Sequence, residues 1–309
     1  MSSNPSQTPC AIGVDVGGTK CAAGLVLSAG GRVLARRLQP TRPERGGDAV
    51  LNDVISLTQS LQEEAHQLGL QPAAIGIAVC ELVSPGGRVL SEATVRWKDQ
   101  RIAERLAAIN LPVVLDADVR AAARGEAYFG AGRDYCSFLY VTVGTGISAC
   151  LVLDKTPYAG ARGLTGTFAS SDGLIPGTDG QLHAGPPLES FAAGPALAAR
   201  FAEARTDFRG AAPDVLKLAA VGDALARSIV TSAGTALGAA IAQLVNVVDP
   251  EAVVIGGGLG LAEGLFRESV NVSLRTHVWS ELHRDIPLLS AQLGTDAGIV
   301  GAALNAVHR

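Results

Sequence analysis

Short apolar runs alternate along this chain with stretches in which apolar positions recur every three or four residues, the pattern of strands interleaved with amphipathic helices. Residues 11–16 read as a buried strand entering Gly17-Gly18-Thr19, and residues 21–27 as a second strand ending at Ala29-Gly30-Gly31. Helical spacing comes next over 49–68, an apolar strand over 74–79, a short amphipathic helix over 101–109 and a strand over 111–115. After a helix over 117–129 the cycle restarts, because the apolar strands 137–143 and 147–153 flank Gly144-Thr145-Gly146. Residues 170–187, rich in Gly, Pro, Asp and Ser, read as a loop. Beyond them lie helical stretches over 188–204 and 224–248, then a strand over 252–255 entering Gly256-Gly257-Gly258, a helix from Leu261, and a closing helix over 299–307. Two halves that each open on a glycine-tipped hairpin fit a duplicated α/β fold.

Composition narrows the function classes. With 309 residues, 48% hydrophobic and 17% charged, the chain exceeds what one core organises, so two domains are expected. A net charge of −4, from 25 basic and 29 acidic residues without long runs, leaves no footprint for nucleic acid or an anionic membrane. The N-terminal residues lack the basic and apolar regions of a secretory signal and no apolar run reads as membrane-spanning, so the expectation is a cytoplasmic protein. Cys10, Cys21, Cys80, Cys136 and Cys150 are scattered without metal-ligand or disulfide spacing and read as reduced thiols. Trp97 and Trp279 read as packing residues.

The candidate chemistry sits at the glycine turns. Asp15-Val16-Gly17-Gly18-Thr19-Lys20 places a carboxylate at a strand end, two glycines at the turn, then a hydroxyl and an ammonium. Phosphate binding uses that order: backbone N–H groups approach the anion at the glycines, Thr19 and Lys20 add donors, and Asp15 can hold Mg²⁺ through water. A glycine turn alone is often only a turn. Three of them at ends of apolar strands, with Thr145 and Gly146 in the second and Gly256, Gly257 and Gly258 in the third, suit a nucleotide lying in a cleft between two domains.

The segments Asp15 to Lys20, Asp118 to Glu126, Tyr140 to Ile147, Leu188-Glu189, Val248-Asp249-Pro250, Val254 to Gly258, Leu293-Gly294 and Ala297 to Ala303 together resemble the ROK sugar kinases. They cover nearly the whole chain, in order. The resemblance implies the two-domain fold of the actin-like, ribonuclease-H-like ATPases, with residues 1–116 and 296–309 in one domain and 117–295 in the other. It also implies Mg²⁺ and ATP as cofactors, Asp15 to Lys20 and Gly144 to Gly146 as phosphate loops, Gly256 to Gly258 beside the adenosine, and a homodimer. Asp118 matches the family's catalytic base and Glu189 its sugar-binding carboxylate. Each has a bland reading: Asp118 suits the cap of a helix starting at Val119, and Glu189 a helix-start carboxylate. Asp116 is a second polar contact for the substrate or a solvated strand end.

Several acceptor ligands of the family are altered. Ala117 replaces an Asn before the base, and in the Glu-Gly-x-Gly-His segment Thr167 stands at the Glu and Ser170 at the His. The cysteine-rich zinc loop is replaced by Thr178 to Pro187, in which His183 alone cannot make a tetrahedral site, so no zinc is expected. The Pro-Gly-Pro turn beside the sugar reads Cys80-Glu81-Leu82. A carboxylate there would favour an ammonium on the substrate, which points to an amino-hexose such as kanosamine phosphorylated on its exocyclic 6-hydroxyl, unless Glu81 faces solvent. Glucose and a C7 cyclitol are the alternatives. Repressors of the family carry a helix-turn-helix domain ahead of the first phosphate loop, and only 14 residues precede Asp15 here. A non-catalytic sugar sensor is the remaining reading.

Overall fold

The apolar runs form two five-stranded sheets of one design in the computed structural model, which describes residues 9–98 and 100–308. In chain order the first elements are β1 (Cys10–Val16), β2 (Lys20–Leu27), β3 (Val33–Pro40), α1 (Gly47–Gln67), β4 (Pro72–Val79), α2 (Ile102–Leu106), β5 (Val113–Ala117), α3 (Asp118–Phe129), β6 (Ser137–Val143), β7 (Ile147–Leu153) and β8 (Thr156–Pro157). Next come β9 (Gly173–Pro176), β10 (Leu182–Gly185), α4 (Leu188–Ala192), α5 (Gly194–Ala204), α6 (Ala212–Ala220), α7 (Ala224–Val248), β11 (Ala252–Gly256), α8 (Leu265–His277), β12 (Leu288–Ser290) and α9 (Ala297–Val307). The sheets run β3-β2-β1-β4-β5 and β8-β7-β6-β11-β12. Their common order, hairpin first and parallel strands after, is the duplication that the sequence pattern suggests.

The described residues divide into two compact units, one running to Asp134 and including 152–165 and everything from Thr295, the other comprising 135–151 and 166–294. The expected boundary after residue 116 therefore moves. Helix α3 stays with the first unit because it packs against α9, which also covers β1 and β4. That approach is backbone to backbone: a methyl at Gly76 would overlap the Ala302 carbonyl, and one at Gly301 the Ala121 carbonyl. In the second unit α7 is the central helix, burying Ile229, Val230, Leu237 and Ile241 among Leu197, Phe201, Phe266 and Val270.

Other expectations change as well. The exposed alternation of β3 belongs to an edge strand, which needs only one apolar face. The loop expected over 170–187 contains the paired strands β9 and β10, in register from Leu182↔Pro176 to Gly185↔Gly173. The helix expected over 188–204 breaks at Ala193, whose extended backbone caps α5 ahead of Pro195. Helix α6 and strand β12 fall where no element is expected, and α8 starts at Leu265 rather than 261. Trp97 is buried, its Nε1 donating to the Gly47 carbonyl at 2.9 Å, whereas Trp279 is 89% exposed and is not a core residue. By length and composition α7 could cross a membrane, contrary to the sequence expectation; half of its apolar window is buried in the core, as in a helix wrapped by its own domain. The five cysteines are free, and residues 1–8 of the polar N-terminal tail lie outside the described residues.

Candidate active site

In the first unit, parallel register aligns Asp15 on β1 with Ala78 on β4 and Asp116 on β5, and Val16 with Val79 and Ala117. The segments leaving these three strands therefore emerge at one edge of the sheet: Gly17-Gly18, Cys80-Glu81 and Asp118. Carboxyl ends of parallel strands are where α/β sheets bind ligands. The first turn is tied at both sides. Gly17 N–H donates to the Lys20 carbonyl at 3.0 Å, and the buried Thr41 donates its hydroxyl to the Gly17 carbonyl at 2.6 Å and its N–H to the Thr19 carbonyl at 3.0 Å. Thr19 and Lys20 stay exposed.

Two half-buried carboxyl groups share this edge. Burial, with the Asp118 charge added, pushes Asp15 up to about 7. Burial also pushes Asp118 up to about 6, opposed by the Val119 N–H and the Arg120 guanidinium and assisted by Glu81 and Asp116. The helix begins at Asp118 itself with Ala117 in the cap position, so Asp118 is not the cap of a helix starting at Val119; its Oδ1 accepts the neighbouring Val119 N–H at 2.6 Å.

Asp116 is neither solvated nor presented to a ligand. It is 6% exposed and accepts from Arg120 Nε at 2.5 Å and Ala117 N–H at 2.9 Å, with Arg124 at 3.6 Å and Asn305 Nδ2 at 3.5 Å. Arg120 also donates to the Val83 carbonyl at 2.7 Å and the Gly163 carbonyl at 3.4 Å. Glu81 is likewise enclosed, 5% exposed. Its Oε1 accepts Thr94 N–H at 2.6 Å and Val95 N–H at 2.8 Å, and its Oε2 accepts Ala93 N–H at 3.0 Å and the Ser91 hydroxyl. Four donors fill a carboxylate's acceptor sites. Neither solvent nor a substrate ammonium finds a free oxygen there, which corrects the reading of Glu81 as an acceptor ligand. Burial, then the charges of Asp118 and Glu81, holds the Cys80 thiol well above its ordinary range, so it stays protonated.

In the second unit, β6 and β11 are parallel with Thr142 opposite Gly256, which brings the turns Gly144 to Gly146 and Gly256 to Gly258 side by side. Gly257 has φ +81° and lies against the Val143 backbone, a place for glycine alone. The Val143 carbonyl accepts Leu259 N–H at 2.9 Å and Gly260 N–H at 3.0 Å. Gly256 is buried as the last residue of β11, while Gly258 and Thr145 reach the surface. Glu189 Oε2 accepts Ile147 N–H at 2.7 Å, and Glu189 N–H donates to the Ala169 carbonyl at 3.0 Å between the exposed Thr167 and Ser170. In the β9–β10 hairpin His183 Nε2 sits 3.1 Å from Asp179 Oδ1. Among the described residues no group of three or more His, Cys, Asp or Glu side chains is placed to hold a metal.

Sequence reasoning missed Thr41 and Arg120. Nothing in the spacing links Thr41 to a turn 24 residues earlier, whereas Asp116 and Arg120 are four apart and oppositely charged, a signal hidden by the strand-to-helix junction between them.

The model of the ROK family matches residues 11–308. The bifunctional enzyme NanE/NanK of Brucella melitensis is 34% identical over 295 residues, 94% of this chain and 53% of that protein, so the chain spans about half the length of that relative. A glucokinase of Streptomyces coelicolor is 30% identical over 319 residues, covering 94% of this chain and 96% of the relative. The structure of a ROK family glucokinase from Streptomyces griseus in complex with glucose and AMPPNP superposes with a TM-score of 0.82 at 28% identity, covering 97% of this chain and 100% of that one.

Proposed function

This chain belongs to the ROK family, and on that premise we propose that it is an ATP-dependent sugar kinase that phosphorylates the exocyclic 6-hydroxyl of a hexose-like acceptor, with Asp118 as the base. The observation that carries the reading is the convergence, at one sheet edge, of the Asp15 to Lys20 turn and a half-buried Asp118 whose carboxyl lies near neutrality.

The residues present fit Mg²⁺ and ATP. Asp15, raised by burial beside a second carboxylate, is a group that a cation would stabilise in its charged form. Gly18 and Gly258 leave their turns without side chains, and Gly258 has open space where a Cβ would stand. Asp15 would hold Mg²⁺ through water, and the ion supplies neutralisation of charge on the transferring phosphoryl group. The Gly18 N–H, with Thr19 and Lys20, would hold phosphate oxygens of the nucleotide, the Gly17 N–H being taken by the Lys20 carbonyl; in the second unit Thr145, Gly146 and Gly256 to Gly258 are the candidates for nucleotide contact. In transfer, the acceptor oxygen bonds to the γ-phosphorus, the bond to the bridging oxygen breaks, ADP leaves, and the hydroxyl proton passes to Asp118.

For Asp118 to accept that proton it must be ionised. We therefore expect kcat/KM at saturating Mg-ATP to rise with pH through about 6 and then level; a profile flat from pH 5 to 8 would remove Asp118 from this role. Because the folded values of Asp15 and Asp118 lie above the ordinary carboxylate value, their contribution to stability is present at acid pH and lost as the pH rises through about 6 to 7.

The amino-sugar reading, with kanosamine as its example, rests on Glu81, and the four donors around that carboxylate withdraw its support. A neutral hexose is the favoured acceptor, and a C7 cyclitol lacks a feature in its favour. ADP release measured with glucose, an N-acetylated hexosamine, kanosamine and a valiolone-type cyclitol tests this. Turnover is expected on a neutral hexose in excess of kanosamine. Preference for kanosamine would restore the amino sugar, and no turnover on any acceptor would favour the sensor. The reading includes a cytoplasmic homodimer.

A further inference from the structure

Glu189, matched to a sugar ligand by resemblance, is bonded to the second glycine turn. Its Oε2 accepts the Ile147 N–H at 2.7 Å, the first amide after the Gly144-Thr145-Gly146 turn. A Cβ at Gly146 would come within 2.6 Å of the same oxygen, so the turn has no side chain where the carboxylate lies. The start of α5, just after the helix that carries Glu189, reaches the turn a second time. Ala193 N–H donates to the Glu189 carbonyl at 3.1 Å and Gly194 N–H donates to the Gly144 carbonyl at 2.9 Å. The turn is thus clamped at both ends by the α4–α5 junction, beside its own cross-bond from Gly144 N–H to the Gly146 carbonyl at 2.9 Å.

We propose that Glu189 is a positioning residue of the nucleotide half-site, its Oε2 setting the Gly144 to Gly146 turn for phosphate. The same segment carries the acceptor candidates. Glu189 N–H donates to the Ala169 carbonyl, between Thr167 and Ser170, and the Gly166 carbonyl accepts the Ser148 hydroxyl at 3.1 Å and Ala149 N–H at 3.3 Å, both just beyond the turn. One residue, by its carboxylate on one side and its backbone N–H on the other, therefore joins the phosphate turn to the segment that would meet the sugar, and ordering by either ligand is passed to the other site through it. The inference rests on the kinase reading above and adds a role in nucleotide affinity that a sugar ligand does not have.

Reach and charge can be separated. Glu189→Gln keeps an oxygen at the same distance for the Ile147 N–H and loses the charge; Glu189→Asp keeps the charge and falls one methylene short. The dissociation constant of Mg-AMPPNP is measured by calorimetry without sugar, alongside the acceptor KM and thermal melting. Glu189→Asp and Glu189→Ala are expected to weaken nucleotide binding about tenfold or more, and Glu189→Gln by less than about threefold, as loss or retention of a hydrogen bond to a carboxylate predicts. The acceptor KM rises in all three. Nucleotide affinity within about twofold of wild type in Glu189→Asp, with only the acceptor KM raised, would make Glu189 an acceptor ligand alone and overturn the proposal. If Glu189→Ala does not fold, the Asp and Gln pair decides. Failure of the unaltered protein to bind Mg-AMPPNP would instead count against the kinase reading.

Discussion

Replacing Asp118 by Asn is expected to lower kcat by about 10² to 10⁴-fold, the range a positioned general base contributes, while Mg-ATP still binds. Asn has the shape of Asp and keeps an Oδ1 to accept the Val119 N–H, so the start of α3 is unchanged. What disappears is the acceptor for the hydroxyl proton. The variant also removes a negative charge that helps raise Asp15, so Asp15 ionises at lower pH and binds Mg-ATP as well as before or slightly better. Slower turnover with unweakened nucleotide affinity is therefore the signature, measured by steady-state ADP release and by calorimetry. The rise of activity through about pH 6 should vanish with the carboxylate. Wild-type turnover in Asp118→Asn would end its assignment as base.

The turns are legible in the sequence because they are local. Gly17-Gly18, Gly144 to Gly146 and Gly256 to Gly258 each come after an apolar run, and strand ends are readable from period and breaker residues. The order of the strands is not. It is parallel register that places Asp15, Ala78 and Asp116 abreast and so delivers Asp118 to the Gly17 turn. Carboxylates are the hardest residues to read, since type and position say nothing about partners. Glu81, which the sequence offers as a substrate ligand, is consumed by the amides of residues 93–95. Asp116, two residues from Asp118, belongs to an ion-pair network instead. In both cases the deciding fact is a partner, a few or many residues away, that only folding supplies. The helical period over 188–204 is right in kind, yet Gly194-Pro195 interrupts it. That break has a use, because it gives Gly194 N–H to the Gly144 carbonyl.

Arg120→Ala is expected to destabilise the protein by about 3 kcal/mol, at the low end of what breaking a buried ion pair costs. The pair is nearly dry, with side-chain exposures of 4% and 8%. Removing the guanidinium leaves the Asp116 carboxylate buried with its amide bond from Ala117, Asn305 Nδ2 at 3.5 Å and Arg124 at 3.6 Å, which is why the loss falls short of the upper end. It also frees the carbonyls of Val83 and Gly163, so the loop after Cys80 and the segment following β8 loosen together. Lysine cannot substitute, since three directions of donation from one planar group are required. Chemical denaturation of Arg120→Ala, Asp116→Ala and the double variant measures the coupling. The double variant should be more stable than the sum of the single losses predicts, because no orphaned carboxylate remains. A second readout ties this network to catalysis. The Arg120 guanidinium holds Asp118 down against the burial that raises it, so its removal should move the acid limb of kcat/KM above about 6. Unchanged stability together with an unmoved limb would show that Arg120 neither supports Asp116 nor tunes the base.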